Sequence, residues 1–269
     1  MELLLAVYLF IIGAACGSFA LVLADRMHSK RDWVKGRSAC EHCKHVLRPI
    51  DLIPIVSWLA LRGRCRYCRK KVGVSYPLTE LFTATVFAFS YLFLPYNLDT
   101  SATILLFVCW LFALVLMTAL LVYDLRWKLL PTSIIQPLIV LGGVHVLAQY
   151  SLYEGSLVRY AASVAASVAV GSGIFGLLWL VSHGRWIGDG DIRFGVVIGL
   201  FLADPLLSWL SIFVASILGL VFAFPLLKNV KKKSKAQIPF GPFLIGGLII
   251  TYIYGASIID WYFKNILYL

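Results

Sequence analysis

Long apolar runs separated by short polar stretches extend along almost all of the 269-residue chain. About 20 apolar residues suffice to cross the hydrocarbon core of a bilayer as helix. The pattern predicts spans near 3–24, 77–95, 102–123, 132–150, 160–182, 192–203, 207–227 and 240–262. Hydrogen-bond demand inside lipid makes these helices rather than open sheet. The expected fold is an all-α polytopic membrane protein with about eight transmembrane helices. The first run lacks a basic n-region and a small-residue cleavage site, so it reads as a retained span rather than a removed signal peptide. One long polar stretch divides the chain into a first helix (1–24), a soluble loop (25–76) and a membrane domain (77–269).

The span at 192–203 strains this count. Its residues cover about 18 Å as helix, against a hydrocarbon core of about 30 Å. Either the element is re-entrant, or the turn before it is recessed into the membrane. Irregular backbone at that depth requires cover from protein or a water-filled cavity. The expectation is a recessed, wet crevice.

Composition agrees with the pattern: 61% of residues are hydrophobic and the mean hydropathy is +0.88, which excludes an ordinary soluble domain. The net charge of +11 sharpens the topology. Thirteen of the 24 Lys and Arg lie between Arg26 and Lys71. Arg126, Lys128, Arg185 and Arg193 form a second group, and Lys228, Lys231, Lys232, Lys233 and Lys235 a third. With alternating spans, only Arg159 and Lys264 fall on the opposite side. The positive-inside rule makes the basic side cytoplasmic and puts both termini outside. The clusters hug span ends, so they match anionic lipid headgroups rather than nucleic acid.

Against this background two carboxylates stand out. Asp124 follows the apolar run from Ala102, and Asp191 sits in Gly188-Asp189-Gly190-Asp191. A carboxylate near hydrocarbon costs at least a few kcal/mol and is usually functional. Two together can share a proton and divide acid and base roles, the chemistry of aspartyl peptide hydrolysis, with coupled titrations. Asp189 is expected to be secondary, tuning the pair or facing the aqueous loop. Gly188 and Gly190 would permit a tight turn and close approach of a substrate backbone.

The soluble loop carries Cys40-x2-Cys43 and Cys65-x2-Cys68. Two such pairs suit one tetrahedral zinc and a zinc-ribbon-like fold, with no open position for catalysis. Two disulfides are the alternative, disfavoured on a cytosolic face, and redox chemistry is another. A loop of this size buries little core, so a metal would supply folding energy. Asp51 and Glu80 flank it; salt bridges to the abundant Arg and Lys are the default reading, and a part in a second active site is the alternative. Arg26 is expected to snorkel to the lipid heads. Cys16 and Cys109 read as buried small hydrophobes, and His145 and His183 as satisfied polar residues. Gly171-x-Gly173-x-x-Gly176 lies inside a span, where close helix packing explains it better than nucleotide binding.

Taken together, these motifs resemble the type IV prepilin peptidases, bifunctional leader peptidases/N-methyltransferases. The likeness covers Gly17-Ser18-Phe19 with Arg26, the Cys40 to Cys68 loop with Asp51 to Leu59, Tyr76 to Glu80, Asp124 to Pro131, Gly188 to Asp191, and Ile238 to Phe243. The resemblance implies that Asp124 and Asp191 are the catalytic pair. It implies prepilin or pseudopilin substrates, cut after a Gly at the cytosolic face behind a short basic leader. It also implies methylation of the new terminal amine, commonly Phe, by S-adenosylmethionine in the cytosolic loop region, with no cofactor site legible. Two departures from the family pattern occur: Thr132 stands where Asp commonly follows Leu-Pro, and Cys40 is followed by Glu41 where Pro is common. A proton-coupled transporter would explain the aspartates but not the cysteines; a zinc adaptor would explain the cysteines but not the aspartates. The particular pilins and the oligomeric state are not legible.

Overall fold

The computed structural model describes residues 2–32, 36–228 and 239–267. Lys35, Lys231, Lys232, Lys233, Lys235, Ile238 and the side chain of Lys228 lie outside what is described. The helices are α1 (Glu2–His28), α2 (Val56–Ala60), α3 (Ser75–Leu92), α4 (Ser101–Trp127), α5 (Thr132–Tyr150), α6 (Leu157–Ser182), α7 (Asp189–Leu202), α8 (Pro205–Lys228) and α9 (Gly241–Tyr262). Extended pairing among the described residues is confined to the isolated bridges Ala39–Val46 and Arg64–Lys71.

The eight expected spans correspond to α1 and α3–α9, but among the described residues six of these helices are long and apolar enough to cross a membrane. The two exceptions have different causes. α3 is too polar, with Glu80 and several hydroxyls in its first half. α7 has 14 residues, about 21 Å of helix. It ends because Ala203 turns left-handed (φ 52°) and the Asp204 carboxylate accepts the Leu206 and Leu207 N–H groups at 2.7 and 3.0 Å, starting α8. A second correction concerns Asp124. It does not follow its span but lies within α4, whose end is set by left-handed Lys128 (φ 55°) donating its N–H to the Asp124 carbonyl. Large apolar side chains such as Leu4, Phe112, Val158 and Leu220 are exposed, as lipid-facing surfaces require.

The chain forms two compact units: residues 1–92 with 114–123, and residues 93–113 with 124–269. In the first, α1 packs on α3 through Gly13 and Gly17. A Cβ at Gly17 would lie 2.8 Å from Thr83 Oγ1 and 2.9 Å from Glu80 Cα. The Gly-x-x-x-Gly spacing thus lets two helix backbones touch, the small-residue packing that lipid favours. Thr83 donates to the Thr79 carbonyl at 2.8 Å, and the His28 ring pairs with the Tyr123 hydroxyl at 3.2 Å.

In the second unit, α6 and α7 meet at Gly171 and Gly195, where a Cβ on Gly171 would lie 2.4 Å from the Gly195 carbonyl oxygen. The packing reading of the Gly171 string therefore holds for its first member. Gly173 and Gly176 meet nothing within 4 Å. The wholly buried Trp110 stacks on Tyr252, with centroids 3.8 Å apart. Tyr252 hydrogen-bonds His145 Nε2 at 3.0 Å and the Tyr96 hydroxyl at 3.1 Å. His145 is thus a core residue with one polar contact, while its Nδ1 has no partner among the described residues. His183 instead forms the left-handed end of α6. Cys109 is buried and Cys16 half-buried.

Candidate active site and metal centre

The second unit assembles its carboxylate site from helix ends. Asp124, 4% exposed, lies one turn before the end of α4. Its Oδ2 accepts the N–H of Gly241, the first residue of α9, at 3.0 Å. The first N–H groups of a helix have no intrahelical acceptor and carry the positive end of the dipole, so they favour an anion there. Gly241 has to be glycine for this contact. A Cβ would sit 2.5 Å from Asp124 Oδ2 and 2.9 Å from Leu130 Cδ2.

Asp191 lies in the first turn of α7, and its Oδ2 accepts the Gly188 N–H at 3.3 Å. It is half-buried, and its charge lies close enough to act on Asp124. Leu130 ties the two segments together. It packs against the Gly190 position, where a Cβ would meet Leu130 Cβ at 2.5 Å, and against Gly241. Asp189 points elsewhere: it is exposed and pairs with Arg193 at 2.6 Å, while Arg193 also donates to the Thr132 hydroxyl. The Arg193 bridge fixes the start of α7 to the start of α5. Gly188 and Gly190 both have negative φ, so left-handed turning is not what they contribute.

The first unit brings the four cysteines together. The sulfurs of Cys40, Cys43, Cys65 and Cys68 all lie within 4.8 Å of one another, an arrangement that could hold a metal ion. Two matching turns present them. Cys40 N–H bonds the His45 carbonyl and Lys44 N–H the Cys40 carbonyl; Cys65 with Lys70, and Arg69 with Cys65, repeat the pattern. Lys44 (φ 58°) and Arg69 (φ 60°) take the same left-handed step after each second cysteine. Cys40 and Cys68 sulfurs are 3.9 Å apart. That is far beyond a disulfide bond and close to the edge, about 3.8 Å, of a tetrahedron with 2.3 Å metal–sulfur bonds. Burial pushes the Cys40 thiol up, but hydrogen bonds from the Cys43 and His42 backbone and from neighbouring cysteines outweigh it and bring the thiol down to about 7.

Asp51 behaves as the default reading expects. It accepts Arg66 Nε at 2.6 Å, the Tyr67 hydroxyl at 3.2 Å and the Arg48 N–H at 3.2 Å. Burial pushes its carboxyl up, yet these donors, Arg66 foremost, hold it below the usual carboxylate value. Glu80 departs from the expectation. It is 7% exposed and has no ion pair among the described residues. Its Oε2 accepts the N–H of Ile55 at 2.7 Å, and the Ser18 hydroxyl hydrogen-bonds the same carboxylate. Ile55 is held at φ 62°, ψ −53°, a strained γ-turn conformation that a β-branched residue seldom adopts. Arg26 departs as well: it reaches back to the Gly36 carbonyl at 2.9 Å rather than snorkelling freely. Glu80, Ser18 and Arg26 all line a cavity of about 340 Å³ that lies wholly in the first unit.

Comparison with known proteins fits this division. The family model described as bacterial peptidase A24 N-terminal domain matches residues 11–94, and that of the type IV leader peptidase family matches residues 105–224. A prepilin leader peptidase/N-methyltransferase of Aeromonas hydrophila is 34% identical over 237 residues, covering 86% of this chain and 76% of that protein. The chain belongs to the type IV leader peptidase family. A Bacillus subtilis prepilin leader peptidase/N-methyltransferase is 29% identical over 258 residues, covering 95% of this chain and 97% of its own length. One of Stutzerimonas stutzeri is 27% identical over 277 residues, covering 94% and 92%. No solved structure matches the chain.

In this leader peptidase family member, the two aspartates that the sequence singled out fall in one unit and the four cysteines in the other. What holds them was not legible in the sequence. Gly241 and Leu130 lay inside quoted motifs without a role, because their function is to be absent or apolar at a contact between distant segments. Ser18 and Ile55 were missed as partners of Glu80, although the cluster of motifs ending at Glu80 could have suggested a shared site.

Proposed function

We propose that this multi-pass membrane protein removes the short basic leader of type IV prepilins or pseudopilins at the cytosolic membrane face and methylates the new amino terminus. Orientation follows the basic residues: the loop, Asp124 and Asp191 face the cytosol, and both termini lie outside. Asp124 and Asp191 form the catalytic pair. One carboxylate, ionised, takes a proton from water; the other, protonated, donates to the scissile carbonyl oxygen. The observation that carries this reading is the meeting of the two carboxylates in one unit, with Asp124 buried and anchored by the α9 N-terminus. Asp189 serves the Arg193 bridge and takes no part in the proton transfers.

The four cysteines bind structural zinc, supported by their sulfur spacing and matched turns. The two net negative charges of a zinc–tetrathiolate centre would offset part of the surrounding basic charge. Methyl transfer belongs to the 340 Å³ cavity, whose size falls in the range of roughly 300–1,000 Å³ typical of small-molecule sites. S-adenosylmethionine, when bound, supplies a methyl group on a cationic sulfonium. The lining fits such a molecule: the Trp58 ring suits a cation, Glu41 and Asp25 suit positive charge, and Arg64 and Lys71 suit a carboxylate. The test is a co-expressed prepilin analysed by mass. Asp124→Asn and Asp191→Asn should each leave the leader attached, while Asp189→Asn retains processing. Processing at the wild-type rate by either of the first two variants would falsify the catalytic assignment.

A further inference from the structure

Among the acidic groups of the first unit's cavity, Glu80 is buried and held by neutral donors. Asp51 is saturated by Arg66, Tyr67 and Arg48, and Glu41 accepts the Tyr76 hydroxyl at 2.8 Å. Glu80 by contrast is buried with no cation beside it among the described residues, in a chain with 24 basic residues. A buried carboxylate without a countercharge is costly and calls for an explanation. The surrounding chain invests in placing it. Gly17 removes a side chain so that α1 can lie against Glu80 Cα, Ser18 hydrogen-bonds the carboxylate, and strained Ile55 aims its N–H at Oε2.

We infer that Glu80 is the residue that receives the new terminal α-ammonium in this cavity and takes its proton for methyl transfer. The inference rests on the reading of the cavity as the methyl-transfer site. With Oε2 held by Ile55, Oε1 is the atom assigned to the amine. Away from water a carboxylate–ammonium pair converts readily to a neutral acid and amine, because both charges vanish together. Glu80 gains one proton. The freed nitrogen lone pair forms the new C–N bond while the donor's C–S bond breaks, its electron pair remaining on sulfur. The product is a secondary ammonium, and Glu80 then returns its proton to water. The charged groups sharing the cavity with Glu80 are Asp25 and Arg26 from α1 and Arg31, Arg37, Glu41, His42, Lys44, Asp51, Arg64, Arg66 and Lys71 from the loop; the 114–123 segment of α4 brings none.

The test uses the full chain in detergent with a mature-sequence peptide bearing a free N-terminal Phe. Glu80→Gln keeps an oxygen for the Ile55 N–H but cannot take a proton. Its methylation rate should fall at least about 100-fold at pH 6.5. The defect should shrink to a few-fold at pH 9, above the α-amine's ordinary value near 7.7–8.0, where the amine arrives already neutral. Cleavage of a prepilin peptide should be unchanged. Without any methyl donor, the wild type should bind the free-amine peptide at least about ten times more tightly than its N-acetylated form, and Glu80→Gln should lose that preference. Should Glu80→Gln fold poorly, Ser18→Ala serves instead and should move the acidic limb of the methylation profile but not that of cleavage. A defect equal at both pH values, an unmoved limb, or an unaltered amine preference would overturn the role of Glu80. A wild type that cleaves but transfers no methyl would instead overturn the reading of the cavity, and the role of Glu80 with it.

Discussion

The two units hold their acidic groups in opposite ways. In the second, Asp124 sits at the end of the long apolar helix α4 and Asp191 at the start of the short helix α7, and backbone N–H groups of Gly241 and Gly188 fix them. In the first, Glu80 depends on a loop made of two cysteine turns, one strained γ-turn and the Asp51–Arg66–Tyr67 cluster. Such a loop buries too little apolar surface to fold unaided. The helix-end site should therefore survive insults that destroy the loop site. Peptide hydrolysis and methyl transfer should fail separately.

The largest effect expected is on cleavage. Asp124→Asn should reduce leader removal by at least about 10³-fold, while methylation of a pre-cleaved peptide stays within a few-fold of wild type. Loss of both would break the contrast between the units. Next comes metal removal. Structural zinc sites in small domains contribute apparent binding energies of about 10–16 kcal/mol, so Cys65→Ser or a strong chelator should abolish methylation and expose residues 36–74 to protease. Cleavage should fall by less than about ten-fold, and equal loss of both activities would count against the division.

Gly241→Ala should come third. The new methyl group would meet Asp124 Oδ2 at 2.5 Å, and a displacement near 1 Å at a reacting group costs on the order of 100-fold. Cleavage should fall about 10- to 100-fold with methylation unaffected; a neutral effect would show that the Gly241 contact does not position Asp124. The smallest effect concerns Asp51, whose carboxyl is held below its ordinary value, so it stabilises the loop above the unfolded value near 3.9 and loses that contribution as pH falls through the depressed one. Asp51→Asn should weaken the loop's resistance to urea at pH 7, and the gap to wild type should close below about pH 4, with both proteins compared in the same metal state. A gap that widens towards acid would contradict this.

Much of this architecture was legible beforehand, for physical reasons. Lipid demands long apolar runs, so α1, α4, α5, α6, α8 and α9 announced themselves. A charge in such a run is expensive, so Asp124 and Asp191 stood out. Paired cysteines have few uses, so their convergence was readable from spacing. The boundaries were less legible. Asp124 lies inside α4 because one left-handed residue, Lys128, ends the helix later than hydropathy does. The partners of the acidic groups were not legible at all. Gly241 lies 117 positions from Asp124 and Ile55 lies 25 from Glu80. One-dimensional patterns carry no record of such pairings, and a salt bridge was the wrong default for a carboxylate that strained backbone holds instead.

The most direct test of the account is mass analysis of one prepilin peptide and its pre-cleaved form after incubation with purified wild type, Asp124→Asn and Asp191→Asn in the presence of S-adenosylmethionine. The account predicts that the wild type returns a shortened, methylated product. Both variants should leave the prepilin intact yet methylate the pre-cleaved peptide. A shortened product from either variant at the wild-type rate would contradict it.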